Sequence, residues 1–247
     1  MAFNDKILEA RANKFRNDSG IESDTAIDFE KLLPSLNVLT MFKPMGDDFS
    51  GMALKTYNSM FVLINTNQLL GRQRFSIGHE LYHLFVQPSF SFELSKAGRF
   101  DKRDKEEYNA DIFSSYLLMP ESGIIKQIPE DELAWGSSLS LATIIKLEQY
   151  FGVSRRALLV RLDKIGLIKF KDYEDYLTGV RKSALEFGYS TDLYTANKET
   201  RVIGDYGIMA KQLFDAEKIS ESHYYALMLD IFVDVDKKQE DDGEERW

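Results

Sequence analysis

Two of the three histidines in this 247-residue chain stand four apart with an acid beside the first, in Phe75-Ser-Ile-Gly-His79-Glu80-Leu-Tyr-His83-Leu-Phe85. This spacing constrains the fold more than any other feature. On a helix, residues i and i+4 lie one above the other, so both imidazoles face one point only if the segment is helical. Leu81, Leu84 and Phe85 then fall on the opposite side and require a core to pack against. Paired imidazoles at this spacing can hold one divalent cation. Glu80 is displaced by about 100° around the helix. It therefore stands beside the cation, placed to take a proton from a water that the metal activates.

Two histidines do not complete a catalytic centre, because such a zinc takes three protein ligands and keeps one position open for water. His223 is far along the chain, and no further histidine follows the pair at short range. The third ligand is therefore expected to be a carboxylate on a later helix. Glu107 meets that requirement, and Glu106 competes with it. Either acid is also favoured at a helix N-terminus by the macrodipole. Asp111 falls one turn after Glu107 on the same face, where it could hydrogen-bond a ligating imidazole and fix its tautomer. Such sites usually add an electrophile for the oxyanion. Tyr82, Tyr108 and His223 are the candidates, and the sequence does not choose among them.

Composition removes several alternatives. The chain has no cysteine, which excludes disulfides, thiolate zinc sites and cysteine nucleophiles together. Its net charge of −9 argues against loose attraction to a phosphate backbone, which needs a basic face. No apolar run approaches the ~18 residues of a membrane helix, and the charged N-terminus lacks a signal-peptide core. The expectation is a soluble cytoplasmic protein with no membrane partner.

Periodicity predicts a helix over 5–18 and a short one from Thr25 to Leu33 that ends at Pro34. Period-two alternation then marks strands at 36–42, 52–57 and 60–65, read as a small antiparallel sheet. Helices follow over 75–85 and 105–119, separated by a loop over 87–103. A helix pair at 139–151 and 154–164 is broken by Gly152, with Ser154 as N-cap. Further helices are expected from Tyr173 to Ala184 and around Tyr224 to Phe232, behind the capping candidates Ser220 and Ser222. The end of the chain is acidic and charge-dense, and reads as a disordered tail.

The helix pair has helix-turn-helix spacing, which raises a DNA-reading role. Its second helix is largely apolar, and only Arg155, Arg156 and Arg161 could reach a groove, so direct DNA binding is not expected.

RFSIGHELYHL, followed by EYNADIFSSYLLMP over 107–120, resembles the ImmA/IrrE family of metallopeptidases. The strand FVLIN, the segment NQLLGRQRF and the helix pair are similar to the family too, so the likeness spans roughly 10–165. It departs at Tyr82, where the family usually has glycine, and at Ser114-Ser115, where it has small alanines. The resemblance implies an α+β, zincin-like fold, mainly helical, with about three antiparallel strands on the active-site helix. It places the metal ligands at His79, His83 and Glu107 and the catalytic base at Glu80. Zinc, or manganese, is the implied cofactor. The implied organisation is a peptidase domain over 1–135, the helix-turn-helix-like segment over 136–169, a helical region over 170–233 suited to docking, and the tail over 234–247. The implied activity is endopeptidase cleavage of a helix-turn-helix repressor of the XRE type, derepressing phage, mobile-element or stress genes. The alternative is a non-cleaving antirepressor, or toxin–antitoxin component, on the same fold.

Overall fold

A computed structural model describes residues 5–95, 104–134 and 137–232. The chain opens with α1 (Asp5–Asp18) and α2 (Phe29–Ser35). Three strands follow, β1 (Val38–Lys43), β2 (Gly51–Lys55) and β3 (Met60–Asn65), and lead into α3 (Leu70–Phe85). After β4 (Phe92–Ser95) come α4 (Lys105–Leu118), α5 (Glu121–Gln127) and α6 (Glu130–Leu133). Then α7 (Leu141–Phe151) and α8 (Arg155–Lys164) precede a 3-10 turn at Phe170–Leu177 and α9 (Val180–Glu186). A short turn at Asp192–Tyr194, β5 (Arg201–Ile203), α10 (Tyr206–Asp215) and α11 (Glu221–Phe232) complete the described chain. The fold is α+β and mainly helical. Among the described residues, no helix is long and apolar enough to cross a membrane.

The sheet is larger than expected, and mixed rather than antiparallel. Five strands run in the order β4-β2-β3-β1-β5. β1 and β3 are parallel, with Val38 opposite Met60 and Lys43 opposite Asn65. Short strands escape a reading based on alternation: β4 lies inside the segment expected to be a loop, and β5 has only three residues. Val38, Thr40, Phe42, Ala53, Val62 and Ile64 point to one face, where they are buried. α1 to α4 close over that side, so its core includes Leu8, Leu33, Leu81, Leu84, Phe113 and Leu117.

Helix ends follow local chemistry. The Asp28 carboxylate accepts from the Glu30 amide at 3.1 Å, and that of Asp104 from the Glu107 amide at 3.3 Å. Ser154 Oγ accepts from the Ala157 amide, and Gly152 leaves α7 in the left-handed region at φ +64°. Pro34 sits in the last turn of α2 rather than beyond it. The single helix expected from Tyr173 to Ala184 is interrupted, because Gly179 turns the chain at φ +58° between the 3-10 turn and α9. Ser220 Oγ accepts from the His223 amide at 3.2 Å, as its capping role requires. The acidic tail at 234–247 lies outside the described residues.

The segment before β5 is tied to the start of α3. The Leu70 amide donates to Thr195 O at 3.0 Å, and Gln73 Nε2 donates to Asn197 Oδ1 at 3.1 Å. The Lys198 amide donates to Thr66 O at 3.2 Å. At the other end, Lys55 Nζ donates to Leu84 O at 2.5 Å, a cation at a helix C-terminus. The active-site helix is thus held at both ends from outside itself.

Candidate metal centre

α3 and α4 form the most extensive pairing of elements in the fold. Their close approach depends on Gly78, where an added Cβ would meet Ser114 Oγ at 2.5 Å. Ser114 uses that hydroxyl to donate to Phe75 O at 2.8 Å, which locks the two helices in register. The residue that departs from small alanine therefore strengthens the joint.

Three side chains meet across it. His79 Nε2 and His83 Nε2 lie 3.1 Å apart. The Glu107 carboxylate faces both, with Oε2 at 3.3 Å from His79 and Oε1 at 3.2 Å from His83. Their ligand atoms all fall within 4.8 Å of one another. Behind them, Asp111 Oδ1 is 2.9 Å from His79 Nδ1, and Gln87 Oε1 faces His83 Nδ1. With each Nδ1–H donated to an oxygen, both Nε2 lone pairs turn inward toward Glu107. Two lone pairs and a carboxylate aimed at one point repel each other unless a positive charge stands between them.

The titration of these groups has the same cause. Burial pulls the His79 pKa down, but Asp111, Glu107 and Glu80 outweigh it and raise it to about 10. His83 is likewise pulled down by burial and moved up overall by Glu107 and Glu80. Burial raises Glu107, while its bonds to both imidazoles bring it down to about 2. Where no metal is bound, protons supply the positive charge. A divalent ion fits this donor set better, because two neutral imidazoles and one carboxylate are the ligand types that zinc takes in a catalytic site.

Glu80 is fully buried between α3 and β2. Gly51 on β2 makes room for it: a Cβ there would meet Glu80 Oε1 at 2.6 Å. Both imidazoles feel its charge. Neither imidazole has any exposed side-chain surface, whereas Glu107 keeps 18%.

The other candidates stand elsewhere. Tyr82 is buried with its ring edge-on to His83, and its hydroxyl donates to Glu106 Oε2 at 2.6 Å. Burial and that acid push its pKa upward. Glu106 is thereby engaged with Tyr82, and Glu107 is the acid that faces the imidazoles. Tyr108 is half-buried, its pKa raised by burial and by Asp5 on α1. His223 is exposed at the start of α11. Sequence reasoning missed Gln87 and Phe90, whose ring stacks on His83 at 5.3 Å. Gln87 lies just past the end of α3, where no helical period reaches it.

Comparison with known protein families matches residues 34–163 to the IrrE N-terminal-like domain of the peptidase M78 family, more than half of the chain. The chain belongs to this family. The matched span holds β1 to β4, α3 to α7 and nearly all of α8. His79, Glu80, His83, Glu107 and Asp111 all lie inside it. A search of curated proteins found no significant match. Membership is in a metallopeptidase family, and the His79–His83–Glu107 cluster is compatible with that chemistry.

Proposed function

We propose that the protein is a zinc-dependent endopeptidase that cleaves a helix-turn-helix transcriptional repressor. The observation that carries the peptidase reading is the meeting of three ligand atoms, all within 4.8 Å of one another, from two imidazoles and a carboxylate. A zinc ion held by His79, His83 and Glu107 would acidify a water and polarise the scissile carbonyl. Manganese would serve the same ligands. Glu80 would accept a proton from the attacking water at its carboxylate and return it to the leaving amine. The Asp111 and Gln87 oxygens hold the imidazoles in the tautomer that presents Nε2. The core behind α3 keeps bulk water from the buried side.

The repressor substrate follows the resemblance to the ImmA/IrrE family, and the surface is consistent with a protein partner rather than DNA. Of the three arginines that could reach a groove, Arg155 and Arg161 are inside the protein at 2% and 1% exposure. Arg155 is clamped by Glu148, with Nη2 to Oε1 at 2.6 Å and Nε to Oε2 at 3.0 Å. Arg161 donates to Met119 O and lies 4.1 Å over the Tyr116 ring. They join the helix pair to its neighbours and cannot reach a duplex.

The test is cleavage of a small helix-turn-helix repressor by purified protein with zinc. The wild type should cut it at one site. Glu80→Gln should retain one zinc per chain and lose activity by about 10²- to 10⁴-fold, as expected for loss of a general base. Tight binding of the repressor without cutting by the wild type would favour a non-cleaving antirepressor instead.

A further inference from the structure

One residue before His83, α3 buries a tyrosine that reaches across to α4. The Tyr82 hydroxyl donates to Glu106 Oε2 at 2.6 Å. The buried Asn109 side chain lies beside the same hydroxyl. The Tyr82 ring packs on the Phe113 ring at a centroid distance of 5.6 Å. Glu106, Asn109 and Phe113 stand at i, i+3 and i+7, so they form one stripe along α4. The metal side of that helix is a different stripe. Glu107 and Asp111 reach His79, and Ser114 bonds Phe75 O, at i, i+4 and i+7. Each helical residue turns the chain by about 100°, so the two stripes lie on neighbouring faces of α4.

The two stripes bear on a choice between consecutive acids, because either Glu106 or Glu107 could serve a cation. Turning α4 by about 100° to bring Glu106 to the imidazoles would strip Asn109 and Phe113 from Tyr82. Phe113 is fully buried, so that turn would also break core packing. The other two anchors of α4 act elsewhere. The Asp104 carboxylate bonds the Glu107 amide, which belongs to the backbone of α4 itself. Ser114 holds Phe75 O about two turns further along. They impose the rotation of the helix, and Tyr82 holds its first turn to that rotation. The hold is local to the ligand, because Glu106 and Glu107 share a peptide bond.

We propose that Tyr82 is a positioning residue for the third metal ligand: it retains Glu106 and keeps the Glu107 carboxylate turned to His79 and His83. Its hydroxyl is committed to Glu106, so it acts through α4 and not on a substrate. The inference rests on the reading of His79, His83 and Glu107 as a metal centre.

The test is the zinc affinity of the full chain by chelator competition, beside urea unfolding of the metal-free protein. Tyr82→Phe keeps the ring and loses the hydroxyl, and should weaken zinc binding by about 10-fold. Glu106→Ala should do the same, and the two together should weaken it no further than either alone. Glu106→Gln keeps an oxygen for the hydroxyl and should recover most of the affinity. In a Glu107→Ala background, where the positioned ligand is gone, Tyr82→Phe should change zinc affinity by less than about 2-fold. A tyrosine with only a structural role would lower the urea midpoint and leave the affinity of the folded protein unchanged, which overturns the proposal. So does an equal loss with and without Glu107, or a Glu106→Gln variant as weak as Glu106→Ala. A wild type that binds no zinc sinks the metal-centre reading itself, whereas zinc bound equally by the wild type and Tyr82→Phe sinks this inference alone.

Discussion

Two helix pairs in this protein bury charged or ionisable side chains, and they do so to opposite ends. In α3 and α4, two imidazoles and the Glu107 carboxylate bring ligand atoms within 4.8 Å of one another. In α7 and α8, the Arg155 guanidinium is answered by Glu148, by Tyr176 O at 3.0 Å and by Ser183 Oγ at 2.9 Å. Tyr194 donates to Glu148 at 2.5 Å and accepts from Gln149 at 2.9 Å. The second cluster is electrostatically closed and therefore structural. The first gathers three ligand types compatible with one metal ion and is therefore the candidate site. Burial of polar groups alone does not separate the two; the direction of their unused donors and acceptors does.

Substitutions can break this contrast. The largest effect is expected from His83→Ala, which should remove stoichiometric zinc altogether while the fold persists, measured by metal analysis beside circular dichroism. Glu148→Ala should act on the opposite property. It leaves the Arg155 charge buried without its acid and should destabilise the protein by about 3–5 kcal/mol, read by urea unfolding. Zinc binding per folded molecule should be unaffected. Asp111→Ala should be milder, weakening zinc affinity by about 10- to 100-fold in a chelator competition, because it removes the oxygen that orients His79. Ser154→Ala should be smallest, costing about 1 kcal/mol from a lost helix cap and nothing from metal affinity. An equal loss of stability in His83→Ala and Glu148→Ala would erase the distinction between the two clusters.

Most of the site was visible in the residues themselves. The spacing of His79 and His83 requires a helix, and the helix fixes their shared direction. Choosing Glu107 over Glu106 needed more than spacing. Both begin α4, and only the rotation imposed by Asp104 capping and by Ser114 packing on Gly78 decides which acid faces the imidazoles. The closeness of Gly51 to Glu80 depends on how α3 packs on β2, which no local pattern encodes. The helices were legible where caps and glycines punctuate them. The parallel pairing of β1 with β3 and the addition of β5 rest on long-range contacts, and a three-residue strand is too short to show a period. The arginines of α8 invited a DNA-reading interpretation because sequence cannot show that Glu148, seven residues earlier, folds back to meet one of them.

The attachment of residues 195–203 to the active-site helix and to β1 has a practical consequence. The family match ends at residue 163, but hydrogen bonds that hold the first turn of α3 come from beyond it. A fragment trimmed to the matched span would expose the free rim of β1 as a template for other chains and release the first turn of α3. Recognisable ancestry and mechanical integrity therefore end at different places along this polypeptide.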